Sequence, residues 1–165
     1  MTKKGFTLVE LLVYIALTAI LFLLVATLIF AILRAQARNR AVAEVESQGV
    51  QIMNQIAQSI RNAAVLNSPA AGTTAASLSI NTDSAGNNPT IFSLNGNTLQ
   101  ISENGAVTAL HNNLITASAL SFKNLTRSGT PGSVAIQFTL TYYNPGARVE
   151  YNYTKTFYGA AGLRQ

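Results

Sequence analysis

Cysteine and tryptophan are absent from this 165-residue chain, and charge is scarce. Without cysteine there is no disulfide scaffold, no thiolate zinc site and no thiol nucleophile. With one histidine, His111, a histidine-rich metal centre within a single chain is excluded. Charged residues make up 10% of the chain, against about 25% in an ordinary soluble domain. Two segments carry the shortage. Residues 11–33 hold no charge at all. Residues 67–165 hold only Asp83, Glu103, Lys123, Arg127, Arg148, Glu150, Lys155 and Arg164. Asn, Ser and Thr number 12, 10 and 13 in that second stretch, so its polarity is neutral rather than ionic. The length suits one globular domain plus an appendage.

The uncharged run from Leu11 to Leu33 has 23 residues, or about 34 Å as a helix. A bilayer core needs roughly 20. The rest of the chain is too small to wrap a helix that is apolar on every side, so a membrane span is expected. A cleaved secretory signal is the second reading, because Ala35-Gln36-Ala37 fits the small-residue cleavage pattern. Such signals have an apolar region of roughly 7–15 residues. This one is longer, and the sequence stays helix-permissive through residue 66. Charge leaves the orientation open, with Lys3 and Lys4 on one side and Arg34, Arg38 and Arg40 on the other. Glu10 is out of place at the edge of the apolar run. An intramembrane acid costs roughly 2.5–3.5 kcal/mol and marks a functional site by default. The plain alternative is that Glu10 merely reaches the headgroup zone.

Lys3-Lys4-Gly5-Phe6-Thr7-Leu8-Val9-Glu10, followed directly by the apolar run, resembles the class III signal of type IV pilins and type II secretion pseudopilins. The basic pair, Gly, Phe, Thr, Glu and span all fall at that family's spacing. The resemblance implies a leader at 1–5, a transmembrane and filament-core helix at 6–33, an amphipathic continuation at 34–66 and a β head at 67–165. It implies that a prepilin peptidase cuts between Gly5 and Phe6 in the cytoplasm and N-methylates Phe6. Lys3 and Lys4 would hold the leader inside, which sets the orientation that charge left open. The implied partners are other pilin or pseudopilin subunits, an assembly-platform membrane protein and membrane lipid. The implied location is the cytoplasmic (inner) membrane, as a single pass with the head outside, and then the filament. Phe6 and Glu10 share a helix face. In an apolar filament core an unpaired carboxylate and an unpaired terminal amine are each costly. Pairing Glu10 of one subunit with the Phe6 amine of its neighbour would cancel both and set the register. Pairing within one helix is the simpler alternative before assembly. Major pilins often carry a Pro within the span; this chain has none before Pro69, which points to a minor subunit.

Beyond the span, Val42, Val45, Gly49, Ile52, Ile56 and Ile60 recur at three- and four-residue steps, with Met53 and Ala63 beside them. That stripe predicts an amphipathic helix packed on the head and ending near Leu66. Gly49 would permit close packing or a slight bend. Asn67–Ala76 reads as a small-residue loop. The period then becomes two. Thr90–Leu94 and Thr98–Ser102 flank Asn95-Gly96, a hairpin signal. Asn104-Gly105 marks a second turn before Val107–Leu110. Leu120, Phe122 and Leu125 suggest a further strand. Val134–Tyr143 is the best strand, and Val149, Tyr151, Tyr153 and Phe157 follow on its return. The expected fold is α+β: a long N-terminal helix packed on an antiparallel meander. Ile60-Arg61-Asn62-Ala63, the β segment around Phe122 and the Gly129–Gly132 loop resemble minor pseudopilins of the J/W type.

Other chemistry is weak. No strand–nucleophile–helix elbow exists, so no enzyme and no cofactor are expected. His111, followed by Asn112-Asn113, reads as a surface loop residue. Asn81–Gly86 resembles half of a calcium loop, but Ala85 and Phe92 stand where ligands belong, which leaves an ordinary turn. The formal charge of +5 falls to +3 without Lys3 and Lys4. The head's five bases are scattered, so direct nucleic-acid binding is not expected. Asn124-Leu125-Thr126 and Asn152-Tyr153-Thr154 match the glycosylation pattern, which suggests surface positions. The expected function is a structural filament subunit. The alternatives are a membrane-tethered binding module that never polymerises, or a competence-pilus subunit that contacts DNA.

Overall fold

The computed structural model describes residue 5 and residues 7–164. One helix, α1, runs unbroken from Leu8 to Arg61, 54 residues in all, or about 80 Å. No proline interrupts it. Leu, Ala and Ile fill it, and it begins at an N-cap, Thr7, whose side chain accepts from the Glu10 N–H. None of its residues before Ala41 is buried. The long apolar half therefore stands clear of the rest of the molecule.

Nine strands follow among the described residues. They are β1 Ala63–Ser68, β2 Thr74–Ala75, β3 Leu78–Thr82, β4 Thr90–Asn95, β5 Thr98–Glu103, β6 Ala106–Ala109, β7 Ile115–Asn124, β8 Ser133–Tyr142 and β9 Thr154–Gly162. They form two antiparallel sheets rather than the single meander expected. One has the order β1-β3-β4-β5-β6, the other β2-β7-β8-β9. The long Ala109–Ile115 connection carries the chain from the first sheet to the second. The second sheet lays β8 and β9 against the C-terminal half of α1. The α+β class holds, with one helix packed against two antiparallel sheets.

The helix stops at Arg61, five residues before the expected end. Asn62 caps it, its N–H bonded to Gln58 O. Ala63–Ser68 then pairs with β3, Leu66 opposite Ile80. Helix propensity in Ala63-Ala64-Val65-Leu66 is overridden because the ladder satisfies the backbone and buries Ala63. The helical stripe is nearly as read. Val45, Gly49, Ile52, Ile56 and Ile60 are buried, with Ala41 and Ala57 added and Val42 only half-buried.

The core is one cluster shared by α1 and both sheets. Phe92, Phe122 and Phe138 are fully buried with Ile52, Ile56 and Ile60, each contributing about 1.5–3 kcal/mol. The β4–β5 hairpin closes through Gly96-Asn97, since Asn95 pairs with Thr98. That is one residue later than the Asn-Gly signal. Asn104 and Gly105 both have positive φ, 49° and 86°, as a two-residue type I′ turn requires. Val149–Tyr151 is a short 3₁₀ turn, not strand. Asn144 explains the difference: its side chain bonds the N–H and C=O of Arg148 and the Asn152 side chain. This folds the 144–152 loop on itself.

Candidate functional site

Two regions of α1 carry the features that matter, its N-terminal turn and its seam with the head. At the first, Gly5 is exposed. Lys3, Lys4 and Phe6, to which the leader, cleavage and methylation expectations attach, lie outside the described residues. Thr7 Oγ1 accepts from the Glu10 N–H at 3.3 Å, and Thr7 O accepts from Leu11 N–H at 3.2 Å. Thr7 and Glu10 thus stand at the N-cap and third helical positions, the pattern of a capping box. A carboxylate in the first turn is stabilised by the helix dipole, by about 0.3–1 kcal/mol where exposed. Glu10 is exposed there, at the rim of the apolar shaft. The capping role of Thr7 was readable as Thr-x-x-Glu, but the family spacing drew attention to Glu10 alone.

The shaft itself shows little polarity. Thr18 Oγ1 donates to Tyr14 O and Ile15 O, and Thr27 Oγ1 donates to Leu24 O. These hydroxyls are satisfied within the helix. Leu12, Leu17, Leu21, Phe22, Leu24 and Leu28 are all more than half exposed. Leu8–Arg61 contains a stretch long and apolar enough to cross a membrane.

The polar contacts of the seam were not anticipated. Glu46 accepts from Lys155 Nζ at 2.7 and 2.6 Å and from the Tyr153 hydroxyl at 2.7 Å. The Lys155 hydrogen bond, then that from Tyr153, holds the Glu46 carboxyl below its ordinary value. The same bonds raise Lys155 and Tyr153 above theirs. Three residues along, the Phe157 ring lies directly on Gly49, where a Cβ would overlap it. Phe157 in turn stacks on Phe138, with centroids 5.4 Å apart. Met53 covers Gly159 in the same manner. At the far end Arg164 N–H donates to Arg61 O at 3.2 Å. β9 therefore runs alongside α1 in the same direction. On the other side Glu44 accepts from Asn112 at 2.6 Å and from Gln48 at 3.2 Å. The expected close packing at Gly49 is present. Only the fold supplies the partners of Glu44 and Glu46.

Several residues singled out earlier have structural positions. His111 stands half-buried in the Ala109–Ile115 loop. Its Nε2 accepts from Leu99 N–H at 3.1 Å, and Nδ1 lies 2.9 Å from Asn112 O. The ring thus stitches the Ala109–Ile115 connection to β5. Asn124 is 5% exposed, contrary to the surface position its motif suggested. Its side chain donates to Pro69 O at 2.8 Å and accepts from Thr126 N–H at 2.9 Å, so the amide is enclosed. Asn152 is exposed. Asp83 and Glu103 share an open polar cleft of about 710 Å³ with Arg61 and Arg164 at the end of α1. The tyrosines do not form a stripe. Tyr142 stacks on Tyr151 at 5.7 Å, Tyr153 serves Glu46, and Tyr143 and Tyr158 stand exposed.

Residues 1–26 match the family model for the prokaryotic N-terminal methylation motif. The matched segment carries the residues that suggested the prepilin and pseudopilin resemblance, and the match supports it. Comparison with curated proteins and with solved structures gives no match.

Proposed function

We propose that the chain is a pilin-like structural subunit, cut between Gly5 and Phe6 and N-methylated on Phe6 by a prepilin peptidase. In this reading it enters a type IV pilus or type II secretion pseudopilus as a minor subunit. The observation that carries the proposal is the junction of two features. A methylation motif at residues 1–26 opens an unbroken helix whose apolar half has no buried residue. Such a surface suits lipid first and neighbouring helices later. Lys3 and Lys4 retain the leader in the cytoplasm, and the head lies outside. The absence of any proline kink in α1 supports a subunit other than the abundant one. In this reading Glu10, exposed at the rim of the shaft, pairs with the Phe6 amine of a neighbouring subunit during assembly. Because Glu10 also sits in the first turn of its own helix, it is stabilised there until a partner arrives.

Mass spectrometry of the protein from its native host tests this. The expected N-terminus is N-methyl-Phe6. A terminus at Met1, or one beyond the apolar run, would refute the proposal and leave a tethered or secreted module.

A further inference from the structure

We propose that the Asn144–Asn152 loop and the first basic turn of α1 form a binding surface for anionic phospholipid. The head would then rest on the membrane before any filament forms. The inference rests on the spanning reading of residues 11–33. Arg34 follows that run directly, and Arg38 lies one turn later on the same face. From Leu33 to Arg38 the helix rises about 7.5 Å. The headgroup layer on each side of a bilayer is about 5–7 Å deep. The loop reaches down to this level. Val149 and Glu150 face Arg34, Ala35 and Arg38 across an open wedge of about 480 Å³. Tyr151 faces Leu33 and Arg40 around the helix.

Three properties make this surface fit a phospholipid interface. It is cationic: Arg34, Arg38, Arg40 and Arg148 stand against the single acid Glu150. That acid is already occupied, since Arg148 Nε and Nη2 both donate to its Oε1. The surface presents an apolar tip, since Val149 is 78% exposed at the turn of the loop. It also carries a supported aromatic pair. Tyr151 stacks on Tyr142, and the Arg148 guanidinium lies 5.2 Å from the Tyr151 ring centroid. Tyrosine and arginine beside an exposed aliphatic residue suit the headgroup boundary. The loop is folded by Asn144, so it meets the surface preformed.

The absence of cysteine makes the test direct, because Val149→Cys introduces one labelling site. The full chain carrying a fluorophore at that site is reconstituted into vesicles bearing a headgroup-level nitroxide quencher. One set is pure phosphatidylcholine, the other contains phosphatidylglycerol. Strong quenching is expected in the anionic vesicles, and less in neutral vesicles or high salt. A label at Tyr158→Cys, 73% exposed on β9, stays unquenched. Replacing Arg34 and Arg38 by Gln should lower the docking equilibrium constant by about fivefold per charge. Equal quenching in both lipids, or none in a chain that resists carbonate extraction, overturns this inference alone. A chain that carbonate extracts overturns the spanning reading together with it.

Discussion

Gly49→Ala should destabilise this protein, although the same change elsewhere on a helix would stabilise it. In an exposed helix interior, alanine is favoured over glycine by about 1 kcal/mol. At Gly49 the new methyl would enter the space held by the tip of the Phe157 ring. The ring cannot retreat freely, because Phe138 stacks behind it and both are buried. Overpacking of this kind costs about 1–3 kcal/mol, and the preceding turn gains only the alanine propensity. The net loss should be up to about 2 kcal/mol, or a Tm lower by up to about 8 °C. Phe157→Ala alone should cost about 3–5 kcal/mol. In that background the obstruction is gone, so Gly49→Ala should become stabilising by about 1 kcal/mol. The two changes therefore couple by about 1–3 kcal/mol, which a double-mutant cycle isolates. The assay is urea denaturation of the full chain in detergent, followed by tyrosine near-UV dichroism. If Gly49→Ala raises stability in the parent chain, or if its effect is the same with and without Phe157, the close-packing account fails.

Three further outcomes follow from the structure. Glu46 is held below its ordinary value by the Lys155 and Tyr153 hydrogen bonds, so its anchoring is present at neutral pH and is lost as pH falls through the folded-state value, beneath the usual carboxylate range. Lys155 and Tyr153 are raised, so their contribution persists until pH rises beyond their ordinary values near 10. Thermal melts between pH 7 and 3 should show the acid-side loss, and Lys155→Met should flatten it. Asn124→Ala should cost about 2–4 kcal/mol in urea denaturation, with an unchanged slope, because it strips partners from buried Pro69 O and from the Thr126 N–H. Glu10→Ala should be cut and methylated normally yet be missing from sheared filaments. Normal incorporation would remove Glu10 from assembly.

The helix and its buried stripe were legible because a 3.6-residue period and the lack of proline leave few alternatives. The long strand Ser133–Tyr142 was legible from its period of two, with Val134, Ile136, Phe138 and Leu140 alternating inward. What escaped was decided between distant residues. Helix-permissive Ala63–Leu66 became strand because Ile80 and its neighbours lie alongside. Splitting the strands into two sheets turns on the Ala109–Ile115 connection, whose course no local period encodes. At the N-terminus, the family resemblance pointed to Gly5, Phe6 and Glu10, and the motif match covers the same segment. Glu46 lies more than a hundred residues from Tyr153 and Lys155 in the chain. Nothing near Glu46 announces the other two.

The direction of β9 has a mechanical consequence. Its contacts fall in order along α1: Lys155 at Glu46, Phe157 at Gly49, Gly159 at Met53 and Arg164 at Arg61. Tension applied along the helix therefore loads this line of contacts in shear. Ionic, aromatic and backbone contacts bear the force at once, instead of parting one after another. The head rides on its rod like a clamp fastened lengthwise, and pulling it free requires every fastening to slip together.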